Sequence, residues 1–136
     1  MDKHISPVGW YIGTYLLRFV ELEQQGNFDE DNQFLCWENT VLVKAKDKRE
    51  AYDKIEAIGK EHDHPYKGGK EAVDVQWFYE GITEIIAVYD ELEDGSELYY
   101  SESRRKLKSI KKLIGKKDDF HRWTHLTKKL SHSLRS

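Results

Sequence analysis

A chain of 136 residues is long enough for one domain with one modest core. Its 38% hydrophobic and 35% charged content contains no apolar run near the roughly 20 residues of a bilayer span, which excludes a helical membrane protein. The single cysteine, Cys36, excludes an intrachain disulfide framework and lies in an apolar-aromatic run where a buried, inert thiol is expected.

The net charge of −3 conceals an asymmetry. Residues 104–136 carry twelve Lys or Arg against Asp118 and Asp119, so the first 103 residues hold 23 acids and ten bases. That division predicts an acidic domain over 1–103 and a basic helical extension over 104–136, packed on the same domain. The opening MDKHISPVGW lacks the apolar stretch of a secretory signal, so a cytoplasmic location is expected.

Along the chain, Trp10 to Leu22 is apolar and aromatic enough for a strand, with Gly13 as a bend. QQGNFDEDN (24–32) reads as a polar loop, and Val41 and Val43 give β-branched character to a second strand from Leu35 to Ala45. Asp47 and Glu50 stand three apart as a capping box. Ala51, Ile55 and Ile58 then recur at helical spacing, which predicts a helix over 48–61 with one apolar face on the sheet.

Gly68-Gly69 reads as loop. The central stretch follows, where Val73, Val75, Trp77 and Tyr79 alternate with Asp74, Gln76, Phe78 and Glu80. Gly81 interrupts that pattern as a bulge or bend, and the strand resumes from Ile82 to Tyr89. Asp94-Gly95 supplies turn chemistry for a hairpin into a strand at Glu97 to Tyr100. Beyond it, Leu107, Ile110, Leu113 and Ile114 form a stripe among basic residues, with Gly115 as C-cap. Asp118 or Asp119 can cap a second helix carrying Phe120, Trp123, Leu126 and Leu130. The expected fold is α+β: an antiparallel sheet of four or five strands, one packed helix, and two short C-terminal helices.

Four of these segments in order, Trp10-Tyr11, VLVKAKDKREA (41–51), WFYEGITEI (77–85) and LEDGSELY (92–99), resemble the bacterial family known as domain of unknown function 4288. The resemblance covers roughly residues 8–100 and leaves the basic tail outside. It implies a small α+β domain with strands flanking one helix, and it brings no catalytic residues to carry over.

Candidate sites are then weighed from chemistry. His121 and His125 stand four apart, a spacing that can chelate zinc, but Arg122 occupies the place of the metalloprotease glutamate and solvated histidines are the preferred reading. His62 and His64 read as loop residues after the helix. Gly68-Gly69-Lys70 lacks the spacing of a phosphate loop, and Trp10, Trp37 and Trp77 read as core. No metal or cofactor is expected. Glu80, Glu84, Asp90, Glu91, Glu93 and Asp94 form an acidic run with no coupled His, Lys or Cys, which argues against acid–base catalysis and for a solvated, partner-facing edge.

Two functions are therefore expected ahead of an enzyme. The first is a protein-binding module, in its most specific form an immunity protein that occludes a basic toxin through the acidic run. The second is nucleic-acid binding through Arg104, Arg105, Lys108, Lys111, Lys112, Lys116, Lys117, Arg122, Lys128 and Lys129, with Phe120 or Trp123 stacking on bases.

Overall fold

The computed structural model describes residues 2–121. Four strands and one helix build the first unit, which ends at Tyr100: β1 (Trp10–Glu21), β2 (Cys36–Lys44), α1 (Lys48–Lys60), β3 (Pro65–Gly68) and β4 (Val73–Ala87). The sheet order is β2-β1-β4-β3, and every pairing is antiparallel. A second unit begins at Ser101 and holds α2 (Leu107–Leu113) followed by a 3-10 turn over Lys117–His121. The rest of the expected second C-terminal helix, including Trp123, Leu126 and Leu130, lies outside the described residues.

β1 pairs with β2 on one side and β4 on the other, and both of its faces carry apolar residues. Tyr11, Tyr15 and Leu17 point to the helix side and are almost fully buried with Val43, Ala45 and Ala87. Ile12 and Val20 are buried on the opposite face. α1 lies across the first face, contributing Ala51 and Ile55 at no measurable exposure, with Ile58 beside them. Asp47 caps the helix by accepting from the Glu50 amide at 2.9 Å. The reciprocal half of the box is not formed; the Glu50 carboxylate lies 4.0 Å from Lys54 instead.

Two glycines set how close the helix comes. A Cβ on Gly13 would stand 2.0 Å from Ile55 Cδ1, so Gly13 is not a bend but the floor that receives the buried isoleucine. On the helix, a Cβ at Gly59 would meet the Tyr79 ring at 2.5 Å and that of Tyr15 at 3.2 Å. A helix spaced for a full side chain at either point would lift off the sheet.

β4 runs unbroken from Val73 to Ala87 through the expected interruption. The register against β1 slips twice, between Thr14 and Tyr15 and between Leu16 and Leu17, leaving Thr83 and Glu80 without partners on either side of Gly81. Gly81 adopts φ +148, a conformation costly for any side chain, so the bulge prediction at this residue holds.

Other expectations are corrected. Gly68 closes β3, a four-residue strand that pairs with Val73–Gln76, and Gly69 at φ +76 turns that hairpin. The Asp94-Gly95 turn forms, with Gly95 at φ +90 and the Ser96 amide donating to the Glu93 carbonyl, but Glu97–Tyr100 does not become a strand. Trp37 is 42% exposed and Trp10 and Trp77 are only half-buried, so the tryptophans flank the core rather than fill it. Cys36 is exposed, because its register opposite Arg18 turns it to the face away from the helix. The partial burial that remains raises its thiol pKa against the opposing pull of Arg18, which disfavours the thiolate.

Candidate functional site

β4 is an inner strand over only part of its length. β3 covers only Val73–Gln76, so the remaining eleven residues of β4 have no strand beyond them. The two ends of the strand fix which backbone groups point outward. The Leu22 amide donates to Asp74 at one end and the Val88 amide to Trp10 at the other. In an antiparallel ladder alternate residues bond the same neighbour, so Gln76 and Phe78 face β1 near the first end, and Glu84 and Ile86 near the second. Trp77, Tyr79, Ile85 and Ala87 therefore turn their N–H and C=O groups to the outer edge.

The two halves of that edge are treated differently. In the first, Asp63 from the turn after α1 stands in for a strand: its carboxylate accepts from the Tyr79 amide at 3.1 Å and from the Gln76 side chain. His62, one residue earlier, reaches Tyr15 Oη at 3.1 Å, which anchors the turn. Next to it Tyr79 Oη is buried without a partner among the described residues, and burial, with Glu56 nearby, raises the pKa of that phenol. In the second half, no hydrogen bond to the backbone of Ile85 or Ala87 from the outer side is found among the described residues.

Instead a groove of about 450 Å³ opens against Glu84–Ala87. Its other walls are the segment Glu97–Tyr100, Tyr89 and Asp90, and the N-terminal Lys3 and His4 with Lys48 of α1. Ser6 holds that N-terminal wall in place. Its amide donates to Tyr11 Oη and its hydroxyl to the Val88 carbonyl, while the Val8 and Trp10 amides donate to the same hydroxyl oxygen. Leu98, Tyr99 and Tyr100 are exposed at 47%, 57% and 75%, an apolar-aromatic run left largely open beside the groove. Aromatic groups left open beside a cleft are typical anchors of protein interfaces.

The acidic run divides across this region. Glu84 and Asp90 line the groove, and Glu97 joins them. Glu91, Glu93 and Asp94 are exposed on the adjoining turn, which Ser96 braces by accepting from the Glu93 amide at 2.8 Å. Glu80 stands apart in the bulge, 3.4 Å from Arg18. Arg18 belongs to the opposite face, where its guanidinium lies 5.6, 4.6 and 5.1 Å from the ring centres of Phe28, Phe34 and Phe78 and donates to the Asn27 carbonyl. The loop before β2 is thus clamped to the sheet by a cation among aromatics.

In the second unit, Arg104, Arg105, Lys108, Lys111, Lys112, Lys116 and Lys117 are all exposed. Lys108, Lys111 and Lys112 ride on α2, and Asp119 accepts from the Lys116 amide at 2.8 Å at the start of the 3-10 turn. Arg122, Lys128 and Lys129 lie outside the described residues, as does His125, so the paired-histidine motif is not placed. Among the described residues no three His, Cys, Asp or Glu side chains gather as a metal site, and no helix is long and apolar enough to cross a membrane.

The groove sets Lys3, His4, Tyr89 and Leu98–Tyr100 beside the acids, a grouping that the sequence pattern does not show. Its one sequence signal is the LYY run directly after a turn, which has the pattern of a strand. The family model described as Domain of unknown function (DUF4288) matches residues 10–100, and the chain belongs to that family. The match ends where the aromatic wall of the groove ends. No curated protein and no solved structure matches the chain.

Proposed function

We propose that this member of the DUF4288 family is a non-enzymatic protein-binding module that takes a basic partner on the acidic flank beside β4. The observation that carries the reading is one of juxtaposition: Glu84, Asp90 and Glu97 border the same groove as the exposed Tyr99 and Tyr100. Acids at the rim attract and orient a basic surface, and uncovered aromatics supply the contact area that holds it. In its most specific form the module is a cytoplasmic immunity protein, whose acidic flank imitates the phosphates that a basic nuclease toxin would engage.

The test is affinity capture on the immobilised chain, followed by mass spectrometry, with a variant in which Glu84, Asp90, Glu91 and Glu93 are changed to Lys. A basic protein retained by the wild type and lost by the folded variant supports the reading. Retention of the same proteins by both chains overturns it.

A second reading rests on α2. Lys108, Lys111 and Lys112 are exposed on one short helix beside Leu107 and Leu113, at 66% and 61%, and this unit lies outside the family match. Such a helix suits phosphate contacts, and a gel-shift titration with RNA and DNA at two salt concentrations tests it. Tight binding that weakens steeply with salt supports it, because condensed counterions are released on binding.

A further inference from the structure

The geometry points to the open half of β4 as a strand-addition site: an extended, basic segment of a partner protein pairs with the outward backbone groups of Ile85 and Ala87. This rests on the binding-module reading and names its contact. Folded sheets ordinarily blunt an exposed edge with charge, bulges or a covering group. β4 uses all three between Trp77 and Thr83, through the bulges at Glu80 and Thr83 and the carboxylate of Asp63 on the Tyr79 amide. On the backbone of Ile85 and Ala87 it has neither bulge nor covering group, and a groove lies open instead.

The dimensions and charges fit a strand. From Thr83 to Ala87 the edge runs about 13 Å at the usual rise, enough for the ladder bonds of Ile85 and Ala87. An added strand would alternate its side chains between the two sheet faces. Those on the helix side would lie beside Ile85 and Ala87, which belong to the core layer around Tyr11 and Ile55 and call for apolar partners. Those on the other side would lie beside Glu84 and Ile86, where Glu84, Asp90 and Glu97 call for cationic ones against the opposing charge of Lys3 and Lys48 on the far walls. The favoured occupant is therefore a segment in which basic and apolar residues alternate. Main-chain bonds supply its affinity and the alternating side chains its selectivity. A second copy pairing through the same edge is disfavoured as occupant, since the two first units both carry the acidic excess and repel.

Amide hydrogen exchange on the full chain tests this, using a blocked octapeptide of alternating lysine and valine as the probe. In the free protein Ile85 and Ala87 should exchange roughly tenfold or more faster than Glu84 and Ile86, which are bonded to β1. Millimolar peptide should slow Ile85 and Ala87 by a similar factor and leave Glu84 and Ile86 unchanged. A glutamate-for-lysine peptide should protect neither. An Ile85→Pro chain, which loses the outward N–H at an edge together with the part-buried isoleucine side chain, should keep β1–β4 protection but lose the peptide.

Equal exchange of Ile85 and Ile86 in the free chain, or no protection by the lysine peptide, overturns the inference whether or not the proline variant folds. A captured basic protein that binds without protecting Ile85 and Ala87 overturns the edge site and leaves the binding-module reading standing. Protection by the peptide in a chain that captures no basic protein does the reverse.

Discussion

Replacing Gly59 by alanine opposes helix propensity to packing, and the sign of the result decides which governs α1. Alanine in a helix is worth about 0.5–1 kcal/mol over glycine, because the unfolded chain loses freedom. Propensity alone therefore forecasts a more stable protein. The structure places the new Cβ 2.5 Å from Cε2 and 2.7 Å from Cδ2 of Tyr79, and 3.2 Å from Tyr15. Neither ring can yield easily: Tyr15 is 2% exposed and Tyr79 has its hydroxyl buried. Overpacking of this kind costs about 1–3 kcal/mol. The expected net is a loss of about 1 kcal/mol, which lowers the melting temperature by roughly 5 °C for a unit of this size. Thermal melting by circular dichroism reads it. The paired control is Tyr79→Leu, which removes the ring edge; in that background Gly59→Ala should become neutral or stabilising, a coupling visible in the double-mutant cycle. A stabilised Gly59→Ala protein in the wild-type background would refute the packing described for α1 and β4.

Further outcomes are expected elsewhere. Arg18→Met keeps the apolar length but removes the charge among Phe28, Phe34 and Phe78; chemical denaturation should show a loss on the order of 2 kcal/mol, and the Asn27 and Phe28 amides should exchange faster. Tyr79→Phe deletes a buried hydroxyl that has no partner among the described residues, so stability should hold or rise by up to about 1 kcal/mol, as a denaturation midpoint will show.

Much of the fold was legible because its signals are local. Asp47 before a helical Ala51-Ile55-Ile58 pattern names both the start and the buried face of α1, and the alternation from Val73 to Tyr79 names β4. Gly81 was readable as a bulge because no other residue rests easily at its φ. What escaped reading depends on distant partners. β3 is four residues long, opens on a proline and exists because Val73–Gln76 lies across from it. Gly13 looked like a bend because the isoleucine it receives is 42 residues away in sequence. Cys36 looked buried in its apolar run, but its register with Arg18 turns it to the open face.

The candidate site follows the same division. Its acids stand out as a charge excess in composition, and Glu84 and Asp90 line the groove. Lys3 and His4 carry no motif; they arrive there because Ser6 bonds Val88, a contact spanning 82 residues. The Glu97–Tyr100 segment had the turn and the aromatics of a hairpin strand, yet leaves the edge of β4 unpaired. That failure to pair creates the groove.

The most direct measurement of the central claim is the association rate of a captured basic partner with the full chain at low and at physiological salt. The comparison is between the wild type and two charge reversals: Glu84, Asp90, Glu91 and Glu93 to Lys on the body, and Lys108, Lys111 and Lys112 to Glu on α2. If the acidic flank steers the encounter, body reversal should slow association by about tenfold or more at low salt, with a smaller effect at high salt, since complementary charge acts mainly on the on-rate. The α2 reversal should leave the rate unchanged or raise it. Slowed association in the α2 variant, with the body variant binding as fast as wild type, would contradict the claim and move the binding function to the basic tail.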